Sequence, residues 1–186
     1  MSPAVLVAKK KVKNPPLDIH TLGDRVLRKP AKRIAKVDAS VRKLIEDMLT
    51  TMYSADGIGL AAPQVGVHKQ LMVIDLELDD PSAPPFVFIN PVIRKAGKKI
   101  EADQEGCLSI PGVYMDVTRP TEITVAYKDE TGRPRTLEAS GLLARAIQHE
   151  MDHLNGVMFV DRVDNQFKLT QELKKNGFVY KSVRPV

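Results

Sequence analysis

Hydrophobic residues recur at intervals of three and four in two parts of the chain, and this spacing places them along one face of a helix. In the first part the repeating residues are Val41, Leu44, Ile45, Met48, Leu49 and Met52. In the second part they are Leu142, Leu143, Ala146, Ile147 and Leu154, and Glu150 falls at the same spacing. Ser40 and Ser140 can serve as N-caps, and Gly156 can end the second stretch in a left-handed turn. The sequence therefore predicts two amphipathic helices.

Between these helices the chain contains short apolar runs that are typical of β-strands. The candidate strands are 71–76, 86–93, 113–117 and 122–127, and a turn is predicted at 129–132. Because the strands precede the second helix, the pattern indicates an α+β fold with antiparallel sheets wrapped around that helix. We expect residues 1–16 to form a mobile basic tail and residues 17–186 to form a single domain.

The second helix also contains residues that can bind a metal ion and take part in catalysis. His149 and His153 are four residues apart, so both imidazoles lie on one helix face and can share a divalent metal ion. Glu150 is positioned to take a proton from a metal-bound water. It falls on or beside the apolar stripe, where a carboxylate needs a polar partner. Two solvent-facing histidines on an ordinary helix would give the same spacing, so a third ligand is needed to support metal binding.

Three positions could supply that ligand. In one class of zinc protease a third His follows the second after six residues, but Phe159 occupies that place here. Another class uses a Glu about twenty residues downstream, near Glu172, which lies in a lysine-rich segment typical of an exposed helix. Cys107, the only cysteine, lies between Gly106 and Gly112 and would bind a metal as its thiolate. It could also be an inert buried side chain.

Three segments together resemble the peptide deformylase family. They run from Gly57 to Gly66, from Glu105 to Pro111 and from Gln148 to Leu154, and they match the family in residue type, order and spacing. The resemblance extends from about Ile19 to about Phe167. It implies a single catalytic domain that removes the formyl group from the N-terminal methionine of new proteins and releases formate. It also implies antiparallel sheets around a central helix with an HExxH motif.

The resemblance further implies a metal site. Cys107, His149 and His153 would hold the metal, with water or hydroxide as fourth ligand, and this hydroxide would attack the formyl carbon. Glu150 would act as general base and then as general acid toward the leaving amine. The family implies one divalent ion per chain, ferrous iron in the cell and nickel, cobalt or zinc in prepared samples. All four metals suit two imidazoles and a thiolate in tetrahedral geometry.

The same resemblance implies an oxyanion site and a peptide site. Gln64 and the backbone N–H of Leu108 would stabilise the oxyanion. Gly59 and Gly106 would pair with the extended peptide through their backbones, because glycine permits close approach. The methionine pocket would be formed by Ile58, Leu142 and Ala146, with the stem of Arg145 at its rim. Taken alone, Gln64 could be a polar turn residue, and Ile58 and Leu142 could be core residues.

Composition and charge indicate the class of protein and its cellular compartment. Of the 186 residues, 43% are hydrophobic and 27% are charged, as in an ordinary globular domain, and a single Cys fits a reducing compartment. We expect a cytoplasmic protein, because the N-terminal lysines follow the short apolar stretch, the reverse of a secretory signal. A plastid enzyme without its transit peptide is the alternative. No apolar run approaches the roughly 20 residues of a membrane span.

The net charge of +5 raises the question of nucleic-acid binding. Much of the excess lies at the two ends, in Lys9, Lys10, Lys11, Lys13, Lys168, Lys174, Lys175, Lys181 and Arg184. No aromatic residues alternate with these charges, so we expect no DNA partner, and we expect no membrane partner either. The resemblance implies formylmethionyl nascent peptides as partners. Weak ribosome association through the basic ends is a further expectation. A general metalloprotease and a catalytically silent RNA-binding protein remain as alternatives, although neither needs Gln64 or Cys107.

Overall fold

Seven β-strands and three α-helices are present in the computed structural model, which describes residues 7–186. The strands are β1 (Gly59–Ala61), β2 (Leu71–Ile74), β3 (Phe86–Ala96), β4 (Ile100–Cys107), β5 (Ile110–Pro120), β6 (Glu122–Lys128) and β7 (Pro134–Ser140). The helices are α1 (Ala39–Ser54), α2 (Gly141–Leu154) and α3 (Gln166–Lys175). Four 3₁₀ turns connect these elements, at Arg25–Arg28, Ala62–Val65, Phe159–Arg162 and Tyr180–Ser182.

Five of the strands form one antiparallel sheet in the order β1-β2-β3-β6-β7, and β4 and β5 form a separate antiparallel hairpin. Helix α2 contacts both, since it packs on β1, β2, β6 and β7 and on β5. The predicted α+β fold, with antiparallel sheets around this helix, is therefore confirmed. No helix in residues 7–186 is long and apolar enough to cross a membrane.

Strand β2 shows how the core is divided. All four of its residues are buried, because both faces of the sheet are covered at this point. Leu71 and Val73 point to the core formed with α1, whereas Met72 and Ile74 point to the core formed with α2. A third core lies between the hairpin and α3. Helix α2 is consequently held between the sheet and the hairpin.

The helix predictions were right in position and partly wrong in their caps. Helix α1 begins at Ala39, and its N-cap is Asp38 instead of Ser40, because the Asp38 carboxylate accepts the Val41 N–H at 3.0 Å. Ser140 is the N-cap residue of α2, but its side chain makes no capping hydrogen bond. The turn at Gly156 is confirmed, with a left-handed φ of 74°.

The strand predictions captured four strands with shifted ends and missed three others. The turn at 129–132 is confirmed between β6 and β7, where the Gly132 N–H donates to the Asp129 carbonyl at 2.9 Å. Strands β4 and β7 were missed because most of their side chains face solvent and few are apolar. Strand β1 lies in the glycine-rich stretch 57–66, where no strand was predicted.

The predicted N-terminal tail, residues 1–16, falls partly outside the described residues, which begin at residue 7. The described part is placed against the domain by several polar contacts, including an ion pair between Lys9 and Asp75 at 2.8 Å. The mobility of this segment, and the division of the chain at residue 16, stay predictions.

Candidate active site

Three side chains with metal-binding atoms converge beside helix α2. They are Cys107, at the end of β4, and His149 and His153, one turn apart on α2, and their ligand atoms all lie within 4.8 Å of one another. The Cys107 Sγ lies 3.3 Å from the His153 Nε2. Within the described residues this is the one group of three or more such side chains that could hold a metal ion. Glu172, the alternative third ligand, is not part of it.

The chemistry of this group fits the metal that the sequence suggests. Two imidazoles and one thiolate are a common donor set for a tetrahedral divalent metal that keeps one position open. The Cys107 sulfur also accepts the Ser109 N–H at 3.4 Å, which fixes its direction. Phe159, which stands where some proteases have a third His, stacks on His149 with ring centroids 5.9 Å apart. That position is therefore an apolar wall.

The orientation of His149 is set by Glu105. The His149 Nδ1–H donates to Glu105 Oε2 at 2.9 Å, so the Nε2 atom is the one left for a metal. Arg119 donates twice to the same carboxylate, at 2.6 and 2.9 Å. Burial alone would raise the pKa of Glu105, but the hydrogen bonds from Arg119 and His149 lower it to about 2. Glu105 is consequently an anion that holds the imidazole ring in place.

This network continues to the next turn of α2. Arg119 also donates to Asp152 at 2.9 Å, and Arg162 donates to both oxygens of Asp152 at 2.6 Å. Arg119 therefore bridges Glu105 and Asp152, which are only 5% and 8% exposed. A buried cation between two carboxylates keeps both of them charged without leaving either unpaired.

The sequence analysis did not identify Arg119, Asp152 or Arg162. A usable signal existed for Arg119, because it continues the alternation of Val113, Met115 and Val117 on the buried face of β5. A charged residue at an inward position of a strand is costly without a partner, so it points to a buried carboxylate. No comparable pattern marks Arg162, which lies in a short 3₁₀ turn.

Glu150 is enclosed next to the metal-binding group. It is 4% exposed, as the sequence predicted for a residue beside the buried stripe, and its Oε2 has no hydrogen-bond partner in the protein. Burial raises the pKa of Glu150 to about 7. The carboxylate lies against β1, where a Cβ atom at Gly59 would be only 2.5 Å from Glu150 Oε1. Glycine is required at this position to make room for the carboxylate.

Gln64 is buried and directed toward the same group. Its Oε1 accepts the Ala61 N–H at 2.8 Å, and its Nε2 donates to Ser109 Oγ at 3.1 Å and faces the Cys107 sulfur at 3.5 Å. The residue is 1% exposed, so it is not an ordinary polar turn residue at the surface. Leu108 follows Cys107 in the turn between β4 and β5. Both oxyanion candidates therefore lie next to the sulfur.

An open cavity of about 630 Å³ lies beside this cluster. Its walls include all of the predicted peptide-binding residues, namely Ile58, Gly59, Gly106, Leu142, Arg145 and Ala146. Gly59 lies on β1, an edge strand of the five-stranded sheet, and Gly106 lies on β4, one of the two strands of the hairpin, each of which has a free edge. The cleft is thus bordered by two strand edges that can each hydrogen-bond to an extended peptide.

The side chains along the cleft are mainly apolar and partly open to solvent. Leu142 is 56% exposed and Ile58 is 38% exposed, so they are not core residues. Arg145 lines the cleft, and its buried guanidinium donates to Glu105 at 2.8 Å. Tyr114, which the sequence analysis missed, is 57% exposed and covers Gly106. A large aromatic residue at an outward position of β5 was the available signal.

Comparisons with known proteins agree with this geometry. The family model described as polypeptide deformylase matches residues 16–168. A peptide deformylase from Microchaete diplosiphon is 69% identical over the full length of both chains, and peptide deformylase 1 from Nostoc sp. is 67% identical over the full length of both.

A solved structure gives the same result for the fold. It is a peptide deformylase from Synechococcus elongatus in complex with actinonin, which is 64% identical and has a TM-score of 0.98 over 99% of this chain and all of that one. The fold, the metal-binding group and the matches along the whole sequence agree, and the chain belongs to the polypeptide deformylase family of metal-dependent hydrolases.

Proposed function

We propose that this enzyme removes the formyl group of formylmethionyl nascent peptides with a divalent metal held by Cys107, His149 and His153. Family membership establishes the overall reaction, the removal of the N-formyl group. The observation that supports our assignment of residues is the convergence of the three ligand atoms at the wall of a cleft between two strand edges. A bound metal would supply Lewis-acid activation of water and of the formyl carbonyl.

We assign the proton transfers to Glu150. Its Oε2 has no competing partner in the protein, and its pKa of about 7 lets it both accept and return a proton near neutral pH. In this proposal Glu150 accepts a proton during attack on the formyl carbon and delivers it to the leaving amine nitrogen. The contact with Gly59 holds the carboxylate against the edge where the peptide would lie.

We assign the stabilisation of the oxyanion to Gln64 Nε2 and the backbone N–H of Leu108. The Gln64 amide is held by Ala61 and Ser109 before substrate arrives, so no reorganisation is needed when negative charge develops on the formyl oxygen. The leaving peptide would lie extended between Gly59 and Gly106. Its methionine side chain would contact the apolar groups of Ile58, Leu142 and Ala146, beside the stem of Arg145.

Ferrous iron is the metal that we propose in the cell, with nickel, cobalt or zinc able to replace it in preparations. A thiolate and two imidazoles bind all four ions, so availability decides occupancy as much as affinity does. We also propose that the enzyme acts in the cytoplasm, in contact with nascent chains, and that its basic ends give weak, salt-sensitive association with the ribosome. A plastid location is the less favoured alternative.

The test is formate release from a short formylmethionyl peptide by anaerobically prepared enzyme and by Glu150→Gln. The variant keeps the size of the side chain and should keep its metal, while turnover falls by about 10²–10⁴ because the base is lost. Glu172→Gln is the matched control, since it changes a carboxylate on α3 that lies outside the metal-binding group. Near-normal turnover by metal-loaded Glu150→Gln would remove Glu150 from the mechanism.

A second substrate distinguishes a general metalloprotease. An unformylated peptide with internal bonds should remain intact in the same assay, because the proposed site receives the formyl end of a chain. Cleavage of internal bonds at a comparable rate would contradict the proposal.

A further inference from the structure

Residues 7–13 precede the region that matches the family model, yet they lie against the structure that forms the substrate cleft. Val7 packs on the core beneath α1. The Val12 N–H donates to Ser54 Oγ, in the last turn of α1, at 3.2 Å. Lys11 forms an exposed ion pair with Asp56 at 2.5 Å. The described part of the basic N-terminal segment is thus placed beside the end of α1.

Lys9 makes the strongest contact of this segment. Its side chain is only 6% exposed, and its ammonium group lies 2.8 Å from Asp75 Oδ2 and donates to the Glu77 carbonyl at 2.8 Å. A lysine is rarely buried to this degree without a specific partner, because removing its charge from water is costly. The positive charge of Lys9 therefore forms a specific buried ion pair with Asp75.

The partner carboxylate, Asp75, depends on this cation. It is 2% exposed, and it also accepts the Tyr53 hydroxyl at 2.7 Å and the Glu77 N–H at 3.0 Å. Burial raises the pKa of Tyr53, so its hydroxyl stays protonated and remains a donor. Lys9 is the cation of the group, and without it a buried carboxylate would keep only neutral donors.

Residues 55–58 form one wall of the cleft, and we call them the cleft segment. Asp75, the anion of the ion pair, is hydrogen-bonded near both ends of this segment. Tyr53 belongs to the last turn of α1, directly before this segment. At the other end the Asp75 N–H donates to the Ile58 carbonyl at 2.9 Å. The group of Lys9, Asp75 and Tyr53, which we call the clasp, therefore joins the entry and the exit of the cleft segment.

We propose that Lys9 is a positioning residue that holds the cleft segment in the conformation that receives the peptide. The inference rests on the proposed function of the cleft, because it assigns a role in substrate binding. A preformed wall lowers the ordering cost of binding, so loss of the clasp should weaken substrate binding. The metal-binding group should be unaffected, because the hydrogen-bond network that orients His149 runs through Glu105, Arg119 and Asp152 and includes no residue of the clasp.

The experiment compares Lys9→Met with Lys10→Met in the full-length, metal-loaded enzyme. Met retains the length of the side chain and removes its charge, and Lys10 is exposed, with no side-chain partner among the described residues. For Lys9→Met we expect KM for a formylmethionyl peptide to rise by about ten-fold, with kcat within about two-fold and metal content unchanged. Lys9→Arg should recover part of the loss, and Lys10→Met should behave as wild type.

Hydrogen exchange gives a readout that does not depend on turnover. Amide protons of residues 57–59 should exchange faster in Lys9→Met than in wild type or Lys10→Met. If Lys9→Met folds poorly, Ser54→Ala tests the same segment, because it removes the acceptor of the Val12 N–H and leaves the ion pair intact. It should raise KM in the same direction by a smaller factor.

Unchanged KM and unchanged exchange in both variants would overturn the role of Lys9. A loss confined to thermal stability, with KM unaltered, would overturn it as well, because that is the result of a purely structural contact. Failure of the wild-type enzyme to release formate would instead refute the proposed function. The exchange of residues 57–59 would then still decide whether the clasp orders the cleft segment.

Discussion

Beside the metal-binding group a network of buried carboxylates and arginines pairs opposite charges, whereas the neighbouring cleft is lined by backbone edges and exposed apolar side chains. Glu105 alone receives hydrogen bonds from His149, Arg119 and Arg145. In the cleft, by contrast, Leu142 is 56% exposed and Tyr114 is 57% exposed. The two regions share one helix, since His149 faces the network and Leu142 faces the cleft.

This difference shows how rigidity is distributed. The network fixes the ring of His149 through the Glu105 carboxylate, which is itself held by two arginines. If one member of the network is removed, a buried charge is left without its partner. In the cleft, the contacts offered to a peptide are single hydrogen bonds and apolar contacts, each of them weak. The shape of the cleft depends on short segments such as residues 55–58. Substitutions in the network should therefore change stability and metal content, and substitutions in the cleft should change substrate affinity.

The largest expected effect is for Arg119→Met. Because the change leaves Glu105 and Asp152 buried with fewer cations, we expect a loss of about 3–5 kcal/mol in the free energy of unfolding, with reduced metal content. Denaturant unfolding and metal analysis measure both. Arg135→Met is the matched control, since its ion pair with Asp129 is 54% exposed on the arginine side and should contribute little to stability. Equal losses of unfolding free energy in the two variants would show that the buried network contributes no more to stability than a surface ion pair.

Next in size is Gln64→Leu, which lies where the two regions meet. Removal of a preorganised oxyanion donor should lower kcat by about 10²–10³, with metal content maintained. Steady-state kinetics on a formylmethionyl peptide, with metal analysis of the same sample, measures this. If the loss appears only as a higher KM, Gln64 belongs functionally to the cleft and positions the substrate.

A smaller effect is expected for Leu142→Ser in the cleft. Loss of an apolar contact with the methionine side chain should raise KM by about ten-fold, because such contacts are worth about 1–3 kcal/mol, while metal content and stability stay near wild type. Val179→Ser provides the control, as it alters a residue that is 56% exposed and does not line the cleft. Loss of metal in Leu142→Ser would show that the regions are not independent.

The smallest effect on turnover is expected at the basic C-terminal end. Replacement of Lys174, Lys175 and Lys181 by Gln should leave hydrolysis of a short peptide unchanged, because none of them lines the cleft or the metal-binding group. Ribosome co-sedimentation at increasing salt should show weaker association of the variant. Identical co-sedimentation of variant and wild type would rule out a contribution from these charges.

The sequence could predict the residues of the site better than the contacts that hold them. Helical spacing was sufficient to bring His149, Glu150 and His153 to one helix, and three motifs were sufficient to indicate the family. The network around Arg119 joins the β4–β5 hairpin to helix α2, with Asp152 lying 33 residues after Arg119, so no local pattern reveals its partners. The predicted N-cap of α1, Ser40, was wrong because Asp38 is an equally good N-cap residue, and only the backbone geometry decides between them.

The N-terminal segment shows the same limit. A run of lysines was expected to form a solvated tail, and nothing in the sequence separates Lys9 from Lys10. In the structure Lys9 reaches a buried carboxylate, whereas the side chain of Lys10 is exposed. Its partner Asp75 follows a buried strand and carried no motif of its own.

The two strand edges that border the cleft influence how many different substrate proteins such an enzyme can accept. An edge offers only N–H and C=O groups, and every amino acid except proline carries both matching groups, so the proposed pairing along β1 and β4 would depend little on sequence. In the proposed binding mode, selectivity would be confined to the first side chain, which would enter the apolar pocket, while later side chains would project away from the paired backbone. An enzyme built in this way can treat the start of nearly any polypeptide as one common substrate.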